Sequence, residues 1–318
     1  MLTQAGFQIG DSDLLHDHIM TRNSHDRKAR PFAEPIALIA PIVEASHGMA
    51  PCFSTRTLTF LRALKRHNNR EWFRAKRAEY ETHVRTPMIE VIERLARDLP
   101  SFAPDLAATP KDSLFRIYRD TRFSGDKRPL KTHVAASFTS RRLPRRAGAG
   151  LYFHIDPNTD REVWIGGGTY APEPHELTRI REHLASHHIA FRALVESTAF
   201  RKTLGGLEGE RLTRVPRGFA ADHPAAEYLK FKQLYAGRSY DVEFARHPRF
   251  YATLLNVFRL VAPLVAFLNA PLVGAREESV RDPLMPVLGR ARSPKPGLRH
   301  GSGRPERQSR GEVESRRN

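Results

Sequence analysis

A dense run of charged side chains between Leu114 and Phe138 is the stretch of this sequence best suited to chemistry. An 18-residue part of this run, from Arg116 to His133, contains six cations: Arg116, Arg119, Arg122, Lys127, Arg128 and Lys131. Two carboxylates, Asp120 and Asp126, lie among these cations. Charges at this density are costly to pack unless they pair with one another or meet a ligand of opposite charge. The run therefore predicts an anion-binding surface, with internal pairing by the two aspartates as the alternative.

We expect five of these cations, all except Arg128, to form one anion site. Arginine presents a planar fork that binds phosphate or carboxylate through two parallel hydrogen bonds. An acidic neighbour can orient such an arginine, and we assign that role to Asp120. The predicted members of the site are Arg116, Arg119, Asp120, Arg122, Lys127, Lys131 and His133.

Two further residues, Tyr118 and His154, are candidates for the same site. Tyr118 alternates with apolar neighbours along a predicted strand, so it lies on the polar face of that strand. Asp156 follows His154 two positions later, and a carboxylate can fix the tautomer of an imidazole that exchanges protons. A purely structural role is the alternative for His154, because histidines are often partly buried without any catalytic function.

Other chemistries have weaker support in the sequence. His183 and His187 are four residues apart, which would place two metal ligands on one helix face, but no third ligand and no HExxH pattern accompany them. The glycine run Gly166 to Gly168 lacks the lysine and hydroxyl residue of a phosphate loop. The sequence therefore identifies no set of catalytic residues, and we predict no metal site and no cofactor.

The charge balance predicts acidic partners. The chain has 318 residues and a formal net charge of +17, which favours an anionic small molecule or nucleic acid. Its single cysteine, Cys52, excludes an intrachain disulfide and predicts a reducing compartment, so we expect a cytoplasmic protein. The apolar run from Leu254 to Val273 contains Arg259 and two prolines, which favours a buried core helix over a membrane span. No signal peptide is evident, and we expect no membrane partner.

The elements that must position these residues follow a helix–strand–helix order. Apolar residues recur at helical spacing before residue 100 and again after Pro174. Between them lie four predicted strands, over residues 114–118, 134–138, 151–155 and 162–170. Their short links favour antiparallel pairing. We therefore predict an α+β fold, in which an antiparallel sheet from the central strands is covered by N- and C-terminal helices.

One domain is expected over residues 52–271. A further strand over 211–215 and helices over 225–234 and 246–269 would complete it. Residues 1–51 show no sustained period, and we interpret them as a disordered or mis-annotated N-terminal extension. Residues 272–318 are rich in Arg, Ser, Gly and Pro and are predicted to form a basic disordered tail.

Several motifs resemble those of a family catalogued as domain of unknown function 2461. The longest is RIYRDTRFSGDKRPLKTH, which runs from Arg116 to His133, and the others are HNNREWF, GLYFHIDP, WIGGGTYAPEPHEL and RVPRGF. The resemblance covers about residues 52–271 and implies a shared fold but no known activity. Leu130 stands where the family pattern usually has a tyrosine after the proline, so any role of that hydroxyl is absent here.

Two functions from different classes fit these observations. The first is an enzyme or a sensor that takes a phosphorylated or carboxylated small molecule in a pocket around Arg116 to His133. The second is a nucleic-acid-binding module that uses a diffuse basic surface, which further arginines would extend: Arg141, Arg142, Arg145 and Arg146. Convergent cations in a concave site favour the first, and a flat basic face with exposed aromatic rings favours the second. The concentration of the motif favours the pocket.

Overall fold

The structure is a computed structural model that describes residues 53–122, 124–144, 147–158 and 162–281. The predictions for residues 1–51 and for residues 282–318 lie outside the described residues, as do Arg145 and Arg146. Within the described part the expected α+β fold is confirmed, with helices on either side of an antiparallel sheet in chain order.

A helical layer comes first, as predicted. The hydroxyl of Ser54 accepts a hydrogen bond from the Thr57 backbone N–H and begins α1 (Thr55–Arg66). The side-chain oxygen of Asn69 caps α2 (Arg70–Ala75) by accepting from the Trp72 N–H. The remaining elements of this layer are α3 (Arg77–Tyr80), a π-helical turn (Glu81–Arg85), α4 (Thr86–Asp98), a 3₁₀ turn (Leu99–Ser101) and α5 (Pro110–Ser113).

The sheet has four antiparallel strands in the described residues, and they pair in chain order. They are β1 (Val134–Thr139), β2 (Gly150–Asp156), β3 (Glu162–Thr169) and β4 (Leu234–Asp241). The first three confirm the strands predicted over 134–138, 151–155 and 162–170. In the register of the pairing, His154 lies opposite Ala135 on one side and Trp164 on the other.

Three local predictions were wrong. Residues 114–118 form no strand and reach their neighbours only through isolated bridges, from Leu114 to Ala136 and from Tyr118 to Leu130. Residues 211–215 contribute one bridge, from Arg211 to Phe231, and the helix predicted over 225–234 is limited to α9 (Ala226–Leu229). Its predicted end, Leu234, instead opens β4, whose Gly-Arg-Ser centre hides the usual apolar alternation.

Helices after β3 complete the described fold. They are α6 (Pro174–Ser186), α7 (His188–Val195), α8 (Thr198–Leu204), α9, a 3₁₀ turn (Val242–Arg246) and α10 (Phe250–Arg281). The last of these continues into the segment predicted as a disordered tail from residue 272. By length and composition Phe250–Arg276 could cross a membrane, but 56% of its most apolar window is buried inside the protein, and the core helix of a soluble protein passes the same test.

The two faces of the sheet differ in chemistry. One face supplies apolar side chains to the core, where the Phe138 ring meets the Phe258 ring of α10 at 5.8 Å. The opposite face carries polar and aromatic side chains, and it is the face that the charged segment before β1 approaches. Candidate functional residues therefore lie on this second face.

Candidate functional site

Alternation along the strands brings several titratable groups to the second face of the sheet. Tyr152, His154 and Asp156 occupy every second position of β2 and point to one side. Glu162 lies opposite Asp156 on β3, and His133 directly precedes β1. We call the following group the sheet-face site: Lys131, His133, Tyr152, His154, Asp156 and Glu162.

Two histidine–carboxylate pairs lie within this site. His154 Nε2 is 3.4 Å from Glu162 Oε1, and the Ser239 hydroxyl of β4 donates to the other oxygen of Glu162 at 2.6 Å. His133 Nδ1 is 3.9 Å from Asp156 Oδ2. Both pairs are buried, with His154 only 1% exposed. A carboxylate beside an imidazole orients the ring for proton transfer, so this arrangement can support acid–base chemistry.

The protonation states of the site follow from burial. Burial lowers the pKa of His133 well below its usual value, and the positive charges near it, from His154, Lys131 and Arg119, lower it further. His133 is therefore neutral near pH 7 and able to accept a proton. Burial, with the carboxylates of Asp156 and Glu162, raises the pKa of Tyr152, so its phenol keeps its proton and can donate a hydrogen bond.

Lys131 brings a cation into this buried environment. The residue is 2% exposed, and its ammonium lies 5.1 Å from the centre of the Phe115 ring. That ring in turn meets Tyr152 edge-on at 6.1 Å. The Phe115 ring therefore connects Lys131 to the sheet face, through a cation–π contact on one side and the Tyr152 ring on the other.

The segment before β1, which we call the basic loop (residues 114–133), has two arms. The Arg119 N–H donates to the Pro129 carbonyl, and the Lys131 N–H donates to the Ile117 carbonyl. The first arm lies along β1, since the Phe115 N–H donates to the Ala135 carbonyl at 3.1 Å. This pairing covers the β1 edge, and the second arm leads directly into Lys131 and His133.

Ion pairs within the basic loop fix the positions of its tip. Asp126 Oδ2 accepts from Arg119 at 2.6 Å and from Arg128 at 2.7 Å, and these arginines hold the pKa of Asp126 well below its usual range, that of Arg128 most strongly. Asp120 binds Arg122 through both of its oxygens. The internal pairing that was the alternative interpretation is therefore present in the loop.

The predicted site residues divide into two groups. Lys131, His133 and His154 meet at the sheet face, and Arg119 lies close enough to influence the pKa of His133. The others lie on the exposed loop or pair within it: Arg116, Tyr118, Asp120, Arg122 and Lys127. The Arg119 side chain is 9% exposed and stands between the two groups.

Two asparagines outside the loop hold it in place. Asn68 Nδ2 donates to the Leu130 carbonyl at 2.8 Å, and the Leu130 N–H donates to Asn68 Oδ1 at 3.0 Å. Asn158 donates to the Thr132 carbonyl at 2.8 Å, and its own N–H donates to Asp156. The Leu130 side chain is buried in the core, so the family's tyrosine position faces inward in this chain.

Sequence reasoning missed several members of this face. Tyr152 and Glu162 belong to the site, and Ser239 donates to Glu162. The rings of Trp164, Tyr170 and Tyr235 continue the face along the sheet. The alternation of Tyr152, His154 and Asp156 was a usable signal, because residues two apart on a strand share a face. Glu162 and Ser239 gave no comparable signal, since their places depend on pairing between distant strands.

A metal site finds no support among the described residues, in which no group of three or more His, Cys, Asp or Glu side chains is placed to hold an ion. The predicted helix-face pair, His183 and His187, has ring centres 4.2 Å apart. His183 also packs against Phe267 at 4.6 Å, which fits a role in packing.

Comparisons with known proteins agree with the resemblance seen in the motifs. A family model described as "Conserved hypothetical protein (DUF2461)" matches residues 56–267, which include the basic loop and all four strands. Neither a curated protein nor a solved structure gives a match.

Proposed function

The chain belongs to the DUF2461 family of conserved hypothetical proteins, and from the geometry above we propose that it binds a small phosphorylated or carboxylated molecule at the sheet-face site. The observation that carries this proposal is the position of Lys131, whose ammonium is buried next to His133. Arg119 also lies close enough to His133 to influence its pKa. Cations that converge beside a neutral imidazole can bind one anion through charge-assisted hydrogen bonds.

Arg119 extends the proposed site toward solvent. Its guanidinium is nearly buried and is held by Asp126, so its direction is fixed before any ligand arrives. A pre-oriented guanidinium binds phosphate or carboxylate at a lower entropic cost than a mobile one. Arg119 would therefore meet the anion at the mouth of the site, while Lys131 and His133 would meet it inside.

Binding of nucleic acid through the basic loop is the second candidate. The net charge of +17 favours it, and the 43% exposed Tyr118 lies on the loop beside exposed cations. The rings of the sheet face, however, are largely buried: Trp164 is 8% exposed. A strand of nucleic acid needs accessible rings on which its bases stack, so the buried position of these rings favours a small molecule.

A matched pair of lysine variants tests the proposal. Thermal stability would be measured with inorganic phosphate, nucleotides, phosphosugars, small carboxylates and short oligonucleotides, since a bound ligand raises stability with the logarithm of its concentration over Kd. Lys131→Met should weaken binding of a small anion about tenfold or more, because a charged hydrogen bond contributes about 1.5–3 kcal/mol. Lys127→Met removes an exposed ammonium, which donates to the Thr121 carbonyl, and should have a small effect that fades with salt.

Two outcomes would overturn this function. Equal losses in both variants would indicate a diffuse basic surface. Stabilisation by oligonucleotides alone would favour the nucleic-acid candidate. The melting curve of Lys131→Met without ligand shows whether the variant folds; if it does not, His133→Gln in the same assay supplies the comparison.

A further inference from the structure

A small cleft lies on the sheet face next to His154. Four aromatic side chains line it, together with the backbone of three strand glycines: Tyr152, Trp164, Tyr170 and Tyr235, with Gly150, Gly167 and Gly168. Its volume is about 50 Å³. A single water needs roughly 10–15 Å³ on this measure, so the cleft has room for about four waters, whereas a cavity that fully encloses benzene has about 150 Å³. A planar ring would therefore enter this cleft only in part, with the rest of the ring outside it.

The walls of the cleft form a continuous aromatic surface. Trp164 stacks against His154 with ring centres 6.4 Å apart and an interplanar angle of 15°. It also meets Tyr152 at 5.8 Å and Tyr235 at 6.2 Å. Tyr170 closes the far end against Tyr235 at 5.5 Å. Aromatic rings prefer such tilted or offset contacts with one another, and a further planar ring can join them.

Glycines of the neighbouring strands allow Trp164 to lie on the sheet. A Cβ atom at Gly166 would be 2.6 Å from the indole, and one at Gly237 would overlap the ring. These residues lie opposite each other on β3 and β4. The absence of side chains there gives the indole a flat resting place, which makes it a fixed wall of the cleft.

The cleft is joined to the cations of the sheet-face site. His154 lines the cleft and also contacts Glu162 of the sheet-face site. Tyr152 lines the cleft on one side and contacts the Phe115 ring on the other, under the Lys131 ammonium. A group placed in the cleft would therefore touch Tyr152 and His154, and it would be linked to Lys131 through the rings of Tyr152 and Phe115.

We propose that the ligand of the sheet-face site is an anion that carries one planar ring, and that the ring stacks in this cleft while the carboxylate or phosphate meets Lys131 and His133. This inference rests on the proposed function, and it names the class of ligand: a small aromatic or heterocyclic carboxylate or phosphate. The volume of the cleft limits the ring to one.

The test separates the ring from the charge. Dissociation constants would be measured for acetate and inorganic phosphate, for benzoate and phenyl phosphate, and for neutral phenol. The ring-bearing anions should bind about tenfold more tightly than the simple anions and more tightly than phenol. Equal affinity of ringed and ringless anions would overturn this inference and leave the anion site standing. Binding of phenol alone, or of none of the probes, would overturn both this inference and the proposed anion-binding function.

A pair of tyrosine variants locates the ring. Tyr170→Ala removes a half-buried wall of the cleft and should weaken phenyl phosphate about two- to tenfold, with no change for inorganic phosphate. Tyr170→Phe keeps the ring and should restore the affinity. Tyr118→Ala removes an exposed ring outside the cleft and should change neither ligand. Loss of phenyl phosphate binding in Tyr118→Ala but not in Tyr170→Ala would contradict the assignment.

Fluorescence of Trp164 in a Trp72→Phe background gives an independent readout, because a stacked ring should alter it.

Discussion

The side-chain amide of Asn68 satisfies both backbone groups of Leu130, accepting from its N–H at 3.0 Å and donating to its carbonyl at 2.8 Å. The two residues are 62 positions apart in the chain. This contact connects the turn between α1 and α2 to the second arm of the basic loop, immediately before Lys131. The position of the proposed anion-binding lysine therefore depends on an asparagine of the helical layer.

Replacement of Asn68 should loosen this connection. Asn68→Ala removes two hydrogen bonds and should lower the free energy of unfolding by about 2 kcal/mol, at about 1 kcal/mol for each bond. It should also weaken anion binding, because Lys131 follows the freed peptide. Denaturant unfolding and a binding titration measure the two effects. The adjacent Asn69→Ala removes only a helix cap and should cost about 1 kcal/mol without affecting the anion. Equal affinity in both variants would show that the contact does not position the site.

His133 should make stability depend on pH. Its neighbours are Lys131 and Arg119 from the loop and His154 and Asp156 from β2. Its pKa is lowered in the folded protein, so below about pH 6.5 the unfolded chain binds a proton that the folded chain does not. Stability should therefore fall as the pH drops from 7 toward 5, with a slope that approaches about 1.4 kcal/mol per pH unit from this group.

Histidine variants test whether His133 causes this dependence of stability on pH. His133→Gln should flatten the dependence of the unfolding free energy on pH between 7 and 5. His175→Gln, at an exposed position on α6, provides the matched control for loss of a histidine. A wild-type slope that survives in His133→Gln would contradict the protonation state assigned here.

Gly237 should tolerate no side chain, because a Cβ there would overlap the Trp164 ring. Gly237→Ala is expected to cost about 1–3 kcal/mol, the usual cost of overpacking a core, and to shift the Trp164 fluorescence. Gly125→Ala provides the control, since a Cβ at that loop position would have nothing within 4 Å. Similar melting temperatures for the two variants would contradict the close contact between the Trp164 indole and the backbone of Gly237.

Asp126 should stabilise the basic loop mainly above pH 4. Its pKa is lowered in the folded state by Arg128 and Arg119, so its contribution is complete above the unfolded pKa of about 3.9 and is lost as the pH falls toward the folded value. Because Asp126 is 35% exposed, Asp126→Asn should cost only about 1 kcal/mol at pH 7. The difference from wild type, measured by denaturant unfolding, should shrink below pH 4. A constant difference down to pH 3 would contradict the ion pairs.

The fold could be predicted where one face of an element is apolar. The strands at 134–138 and 151–155 and the long C-terminal helix follow from such patterns. The strand β4 could not be predicted, because Gly237 lies under Trp164 and Ser239 pairs with Glu162. At both positions the residue type suits a contact with β3. The apolar alternation that usually identifies a strand is therefore missing from this part of β4.

The site could be predicted only in part, for a related reason. The residue types of Lys131, His133 and His154 were sufficient to select them, but not to show which loop cations turn inward. That direction is set by distant contacts, such as those of Asn68 and Asn158 with the second arm. Glu162 joins His154 through the β2–β3 register, which follows from the pairing of whole strands.

The central claim is that a small anion binds beside His133, and the imidazole resonances of this residue test it most directly. Inorganic phosphate would be titrated at pH 7 and physiological salt while the ring signals of His133 are followed by NMR, with those of His175 as reference. The account predicts a saturable change at His133 that is lost in Lys131→Met and kept in Lys127→Met, with none at His175. Phosphate binding that perturbs only the exposed loop, with His133 unchanged, would contradict it.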